Sequence, residues 1–428
     1  MRDSGAVLPL DGREARGFDP ERLLAPEQAL IAYFSRVLLS PLGVDRVPLD
    51  AAYGRILAED AIARDDLPAH PRSTMDGFAL SSEGGLRRRI VGDVLMGSPA
   101  PRGVGPGEAL RIPTGGALPD GADAVVPLED VVEADGEIVL QAPVAAGDCL
   151  TQRGADMRAG ETLLLAGRKL GGPEMGVLAT LGIPCVDVFK RPRFGVISTG
   201  DELVDVRALP GAGQVRDSNR YAIAGALRAM GVDPVQLPRV ADDPERMRAV
   251  LRAALEECDG VVLTGGSSVG ERDYTPRVVR ELGLPGAVVH GLRVKPGKPT
   301  LLGAAQGKPV LGLPGNPASA LMILEAVVRP IVAACTGQRR SAPATIDAIA
   351  AEPFAGRAGW TWYVPARVVI RGGRLHAVPF TIRSSHVSLL ARASGYATLG
   401  EAAPRVEAGE TLRISLFSAG GAPFEVES

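Results

Sequence analysis

Between residues 188 and 340 the sequence alternates short apolar runs with helical patterns, and glycine-rich loops follow several of the runs. Residues 193–198, 235–240, 260–263 and 310–313 read as strands. Residues 219–230, 244–258 and 317–334 read as helices. Gly231 stops the first, and Pro244 and Pro317 open the other two, proline being tolerated in a first helical turn. Strand–helix alternation of this kind predicts a parallel sheet covered on both faces. Ligands of such sheets sit in the loops beyond the carboxyl ends of the strands.

The flanks have a different character. At 428 residues the chain has room for about three domains. Residues 1–20 read as a tail. From Pro26 a helical spacing puts Ala29, Tyr33, Val37 and Leu38 on one face. Residues 47–147 are β-rich, with strands at 124–127 and 137–140 between Gly/Pro turns. A helix at 173–181 then marks the return to the first style. The predicted organisation is a linking domain of 21–46 plus 148–187, an inserted β-rich domain of 47–147, the α/β domain of 188–340 and a β domain of 341–428. In the last, runs at 363–370, 374–378 and 411–416 alternate apolar with polar.

Charge and cysteine content narrow the partners. The net charge of −3 and an aromatic content of 4% argue against nucleic-acid binding through bulk charge or base stacking. An anion must therefore be held by a local cluster. Cys149, Cys185, Cys258 and Cys335 are far apart, which suggests neither a disulfide framework nor a zinc site. The longest apolar stretch, 318–328, is broken by Glu325 and reads as too short for a membrane span. A reducing cytoplasmic setting is expected.

Three loops of the α/β region carry unusual local sequence. STGDEL (198–203) combines a tight glycine turn with Asp201 and Glu202. TGGSSVGERDY (264–274) offers glycine N–H groups and serine hydroxyls to a phosphate, with Asp273 beyond. GLPGNPASA (312–320) places Asn316 or Ser319 near a helix start that favours anions. RVKPGKPTLL (293–302) adds three cations, of which Lys295 and Lys298 flank Pro-Gly and can converge on an oxyanion. Glu202, Asp242, Asp243 and Asp273 supply oxygen ligands suited to Mg²⁺, although Asp243 also reads as the cap of the helix at Pro244. In the β-rich insertion, RSTMDGFAL (72–80) holds Asp76, PTGGALPDGADAVV (113–126) holds Thr114, and Asp156 follows in RGADMRAGE. By chemistry alone these are acidic or polar turns.

In order along the chain, RSTMDGFAL, PTGGALPDGADAVVPLED, RGADMRAGETLL, RPRFGVISTGDELV, RDSNRYAIAGAL, TGGSSVGERDYT, RVKPGKPTLLG and GLPGNPASAL resemble the molybdopterin molybdenumtransferase family, the MoeA proteins and the gephyrin E-domain. The resemblance implies a multi-domain α/β and β fold. Its parts are a central three-layer α/β domain with a mostly parallel sheet of molybdopterin-binding type, an inserted β-rich domain, an elongated helical and mixed linking domain, and a C-terminal β-barrel-like domain. It implies an enzyme that inserts molybdate into adenylylated molybdopterin with Mg²⁺, releasing AMP.

Carried over by motif, Glu202, Asp242 and Asp273 would hold Mg²⁺ or the nucleotide phosphates. Gly265, Gly266, Ser267, Ser268 and Gly270, with Pro314, Gly315 and Asn316, would contact the pterin or its phosphates. Lys295, Lys298, Ser319 and Ser385, with Arg367 as the C-terminal arginine, would form the molybdate pocket. Asp76, Thr114 and Asp156 would face the α/β domain of a second subunit, which implies a homodimer. Molybdopterin adenylyltransferase and client molybdoenzymes are partner candidates, with no nucleic acid and no membrane. Ser267, Phe78 and Gly291 depart from the usual family residues valine, tyrosine and, in some members, lysine. Two other readings stay open at this point: an adenylyltransferase, and a non-catalytic scaffold for finished cofactor.

Overall fold

A computed structural model describes residues 23–265, 274–339, 343–380, 386–417 and 421–426 of the chain. Its central sheet has the strand order Asp233–Gln236, Arg193–Ser198, Gly260–Thr264, Lys308–Leu313, Leu301–Ala305, Pro285–His290. The first four strands are parallel, and the last two run antiparallel to their neighbours. Every residue of Gly260–Thr264 is buried, as a strand covered on both faces requires. Alternate side chains feed two cores. Val196 and Val262 pack with Ile223 and Leu227 of helix Asn219–Ala229. Ile197, Val261 and Leu263 pack with Leu251 and Leu255 of helix Pro244–Glu257 and Val278 of helix Thr275–Leu282.

Four local expectations change. The strand expected over 235–240 is Asp233–Gln236; Pro238 has no N–H for a ladder, and Val240 keeps only an isolated parallel bridge to Thr199. The helix expected over 317–334 is α-helical over Pro317–Ile323 and Arg329–Thr336, with a wider π turn at Leu324–Val328 between them. Pro330 lacks the N–H that would bond the Ala326 carbonyl, which accounts for the wider turn. This continuous helix, Pro317–Thr336, is long and apolar enough by length and composition to cross a membrane, contrary to the reading of its shorter apolar run. The burial of 67% of its most apolar window marks it as a core helix. Finally, Ala29, Tyr33 and Val37 are buried as expected, but Leu38 lies beyond the end of helix Pro26–Phe34 and is exposed.

The other regions frame this sheet. Val44–Pro48 pairs with Cys185–Phe189 and joins the two parts of the linking region. Between them a six-stranded lobe has the order Ala124–Pro127, Gly77–Leu80, Glu108–Ile112, Arg87–Asp93, Glu137–Leu140, Val131–Ala134. Phe78 and Leu80 face one small core of the lobe, and Ala79 and Leu110 the other. Among the described residues, the hydrogen bonds of 63–161 close within that segment.

The C-terminal region is a closed barrel. Thr361–Arg371 pairs with Arg374–Pro379, then Thr345–Ala350, Thr411–Leu416 and Gly395–Leu399, which returns to Thr361–Arg371. Closure leaves no sheet edge in the ring. The multi-domain α/β and β architecture expected from the sequence is the one observed.

Candidate functional site

Parallel register decides where the loops meet. Ser198 lies beside Thr264, and Thr264 beside Leu313, so three neighbouring strands end level. Past these ends the backbones stay in contact. Thr199 N donates to Thr264 O at 2.8 Å, and Gly265 N to Leu313 O at 3.3 Å. Gly265 has φ +86°, and a Cβ there would lie 2.3 Å from Thr199 O, so only glycine fits without displacing backbone. A Cβ on Gly315 would lie 3.4 Å from Gly265 Cα. Gly265, Pro314, Gly315 and Asn316 are thus gathered at one sheet end. Gly315 and Asn316 are exposed there, and Asn316 occupies the N-cap position of helix Pro317–Ile323. Gly266, Ser267, Ser268, Gly270 and Asp273 lie outside the described residues, as does Ser385.

The lysine segment docks on the helix that leaves this end. Gly297 has φ +110°, and a Cβ there would lie 2.2 Å from Ile323 Cδ1. Its bare backbone therefore rests against the helix that begins after Asn316. Ser319, in the first turn of that helix, is only 4% exposed. Leu292 N donates to Lys298 O at 2.8 Å, and Gly291 N to Thr300 O at 2.8 Å, which folds the segment back on itself. Lys295 is exposed and Lys298 half-buried. The third cation of the segment is otherwise engaged: Arg293 Nε donates to Glu401 Oε1 of the C-terminal region at 3.0 Å.

The carboxylates collect on the loops after the first two parallel strands. Gly200 N donates to Val240 O at 3.2 Å, and Asp242 N to Asp201 Oδ1 at 3.3 Å, so the loops touch. Glu202 and Asp242 are both exposed. Among the described residues, no three His, Cys, Asp or Glu side chains converge as a metal-binding group. The neighbouring Asp243 caps helix Pro244–Glu257, its Oδ1 accepting from Glu245 N at 2.8 Å and Arg246 N at 3.1 Å. Those N–H groups hold its carboxyl below the usual range.

Asp76, Thr114 and Asp156 belong to the inserted lobe. Asp76 Oδ1 accepts from Thr114 N at 2.7 Å and from the Thr114 hydroxyl at 3.0 Å. The backbone N–H is the main reason the Asp76 carboxyl is held below its ordinary range. Asp156 is exposed on a turn, with its N–H donating to Leu67 O at 3.0 Å. Arg367 lies on strand Thr361–Arg371 of the barrel, where it pairs with Glu425 at 2.5 Å.

Sequence reasoning passed over Asp217 and Asn219. Both are buried at the start of helix Asn219–Ala229. Ser198 Oγ donates to Asp217 Oδ1 at 2.9 Å, and Asn219 Nδ2 to Gly315 O at 2.7 Å. They tie the end of one strand and the turn after another to a single helix start. Their signal was two polar residues just ahead of an apolar helical pattern, which cannot be told from ordinary capping. Trp362 was also passed over; the Lys295 ammonium lies 4.7 Å from its ring centroid.

Against known proteins, residues 24–182 match the MoeA N-terminal region (domain I and II). Residues 195–334 match a probable molybdopterin binding domain, and 347–417 the MoeA C-terminal region (domain IV). The molybdopterin molybdenumtransferase of Bacillus subtilis (strain 168) is 30% identical, the match covering 87% of this chain and 89% of that protein. The molybdopterin molybdenumtransferase of Synechococcus elongatus is 33% identical over 74% of this chain and 82% of its own. The crystal structure of a molybdopterin biosynthesis MoeA protein from Pyrococcus horikosii superposes with a TM-score of 0.73 at 32% identity, covering 92% of this chain and 99% of that one.

Proposed function

Because the chain belongs to the molybdopterin molybdenumtransferase family, we propose that it transfers molybdenum from molybdate to adenylylated molybdopterin with release of AMP, assisted by Mg²⁺. The observation that carries this reading is the level end of three parallel strands, together with the docking of the lysine segment, through Gly297, on the helix that leaves that end. Every reactant is an anion, so the site must supply compensating charge at short range. Lys295 and Lys298 supply it for molybdate, with Ser319 and Ser385 as hydroxyl partners and Arg367 as a further cation. The loop from Gly265 through Gly270 and the turn Pro314–Asn316 receive the pterin nucleotide.

Glu202 and Asp242 stand on touching loops, and Mg²⁺ usually takes one or two carboxylates with phosphate oxygens and water. These residues fit the ion, with Asp273 as a third ligand. Mg²⁺ there would screen the phosphoanhydride and the leaving AMP.

Asp76, Thr114 and Asp156 sit in a lobe whose hydrogen bonds close on themselves. We assign them to the site of a second copy, which makes the working enzyme a homodimer. The four cysteines are free thiols, in keeping with a cytoplasmic setting.

The test is reconstitution from purified protein, adenylylated molybdopterin, Mg²⁺ and molybdate, reading AMP release and active cofactor. Turnover of both supports the proposal. Consumption of ATP and unmodified molybdopterin instead would identify an adenylyltransferase, and tight binding without turnover a scaffold. Either result would overturn it.

A further inference from the structure

The C-terminal region reaches the lysine segment through a short strand pairing and an ion pair. Val294–Lys295 runs parallel to Thr361–Trp362, with Lys295 opposite Trp362. Thr361 N donates to Arg293 O at 3.1 Å, and the Arg293–Glu401 pair ties the same segment to the C-terminal region again. Lys295 is treated differently from Arg293. Its ammonium lies over the Trp362 ring, and among the described residues no carboxylate pairs with it. A carboxylate would cancel the charge and occupy the N–H donors. An aromatic face attracts the cation through its quadrupole and leaves donors and charge available to an anion.

The identity of the ring carries the argument further. Trp362 Nε1 is buried with no hydrogen-bond partner, an arrangement that a phenylalanine would avoid. Tryptophan is the side chain that holds a cation best. The backbone also makes room for it, since a Cβ on Gly356 would lie 2.9 Å from Trp362 Cγ. An orphaned polar atom is thus retained at the barrel position that pairs with Lys295.

We propose that Trp362 is a positioning residue for the molybdate pocket: its indole face holds Lys295 in place without neutralising it. This rests on the reading of Lys295 as a molybdate ligand.

Trp362→Phe, Trp362→Leu and Lys295→Ala in the full chain test it. Equilibrium dialysis against molybdate, steady-state kinetics and thermal melts are read for each. Trp362→Phe is expected to melt at or above the parent temperature while its KM for molybdate rises about threefold, the weaker ring holding the cation less well. Trp362→Leu is expected to raise that KM about tenfold, with kcat and the KM for the pterin nucleotide unchanged. Molybdate binding as in the parent for both Trp362 variants, with binding lost in Lys295→Ala, would overturn the role of Trp362 alone. Parental molybdate binding in Lys295→Ala would overturn the assignment of Lys295 itself. If Trp362→Leu fails to fold, Trp362→Phe decides: a lower melting temperature with unchanged molybdate KM would make the indole purely structural.

Discussion

Gly265 and Gly315 at the central sheet and Asp76 and Thr114 in the inserted lobe are placed by different means. The glycines take their positions from parallel strands buried on both faces, so their separation is set by register and core packing. Asp76 and Thr114 are exposed on turns and hold each other through two hydrogen bonds. The first arrangement is stiff because many buried contacts determine it. The second is local, and its relation to the sheet depends on how the lobe as a whole is carried.

Substitutions in the two cores are expected to separate these regimes most strongly. Phe194→Ala should cost about 4 kcal/mol, because the ring is fully buried and the sheet around it cannot collapse to fill the gap. Urea unfolding followed at the central strands would show this, and a loss under 1 kcal/mol would contradict the stiffness assigned to that region. Leu110→Ala should cost about 3 kcal/mol within the lobe. Hydrogen exchange should then rise in 63–161 and stay unchanged in the central sheet; exchange rising in both would mean the lobe is not self-contained.

Gly265→Ala comes next. A Cβ meets backbone there, and displacing a loop by about an ångström can lower turnover on the order of a hundredfold. AMP release measured beside a melt should show the activity falling much more than the stability. Asp243→Ala removes a helix cap and should cost about 1 kcal/mol, measured by denaturant titration.

The smallest expected effect is the acid response of the lobe. The folded Asp76 carboxyl is held below its ordinary value, so its stabilising contribution is present above about pH 4 and fades as pH falls through the folded value. Melting curves from pH 6 to pH 2 should fall slightly more for the parent than for Asp76→Asn. Identical slopes would show that the pairing with Thr114 contributes nothing to stability.

Much of the central sheet was legible because three of its strands are mostly apolar runs that lead into glycine-bearing loops. Arg193–Ser198 lies where expected, as do Ala124–Pro127, Glu137–Leu140 and Thr411–Leu416 elsewhere. The antiparallel edge formed by Pro285–His290 and Leu301–Ala305 was not read, since an apolar run such as Leu301–Ala305 does not announce its direction. Closure of the barrel depends on the pairing of Thr361–Arg371 with Gly395–Leu399, a long-range contact that no local pattern encodes. The site divides in the same way. Glycine loops and lysines stand out in a sequence because their chemistry is local. Asp217, Asn219 and Trp362 gain their meaning from Ser198, Gly315 and Lys295, which are distant along the chain.

The chain enters and leaves the lobe through neighbouring antiparallel strands, with Ile62 opposite Thr162. Facing residues of such strands lie about 5 Å apart, a gap that a two-residue hairpin spans. The lobe therefore hangs from the rest of the protein like a cartridge on a paired stem. Cutting it out and joining the stem with a tight turn would leave the α/β sheet, its loops and the barrel with their own hydrogen bonds intact, and the excised piece would keep both of its small cores.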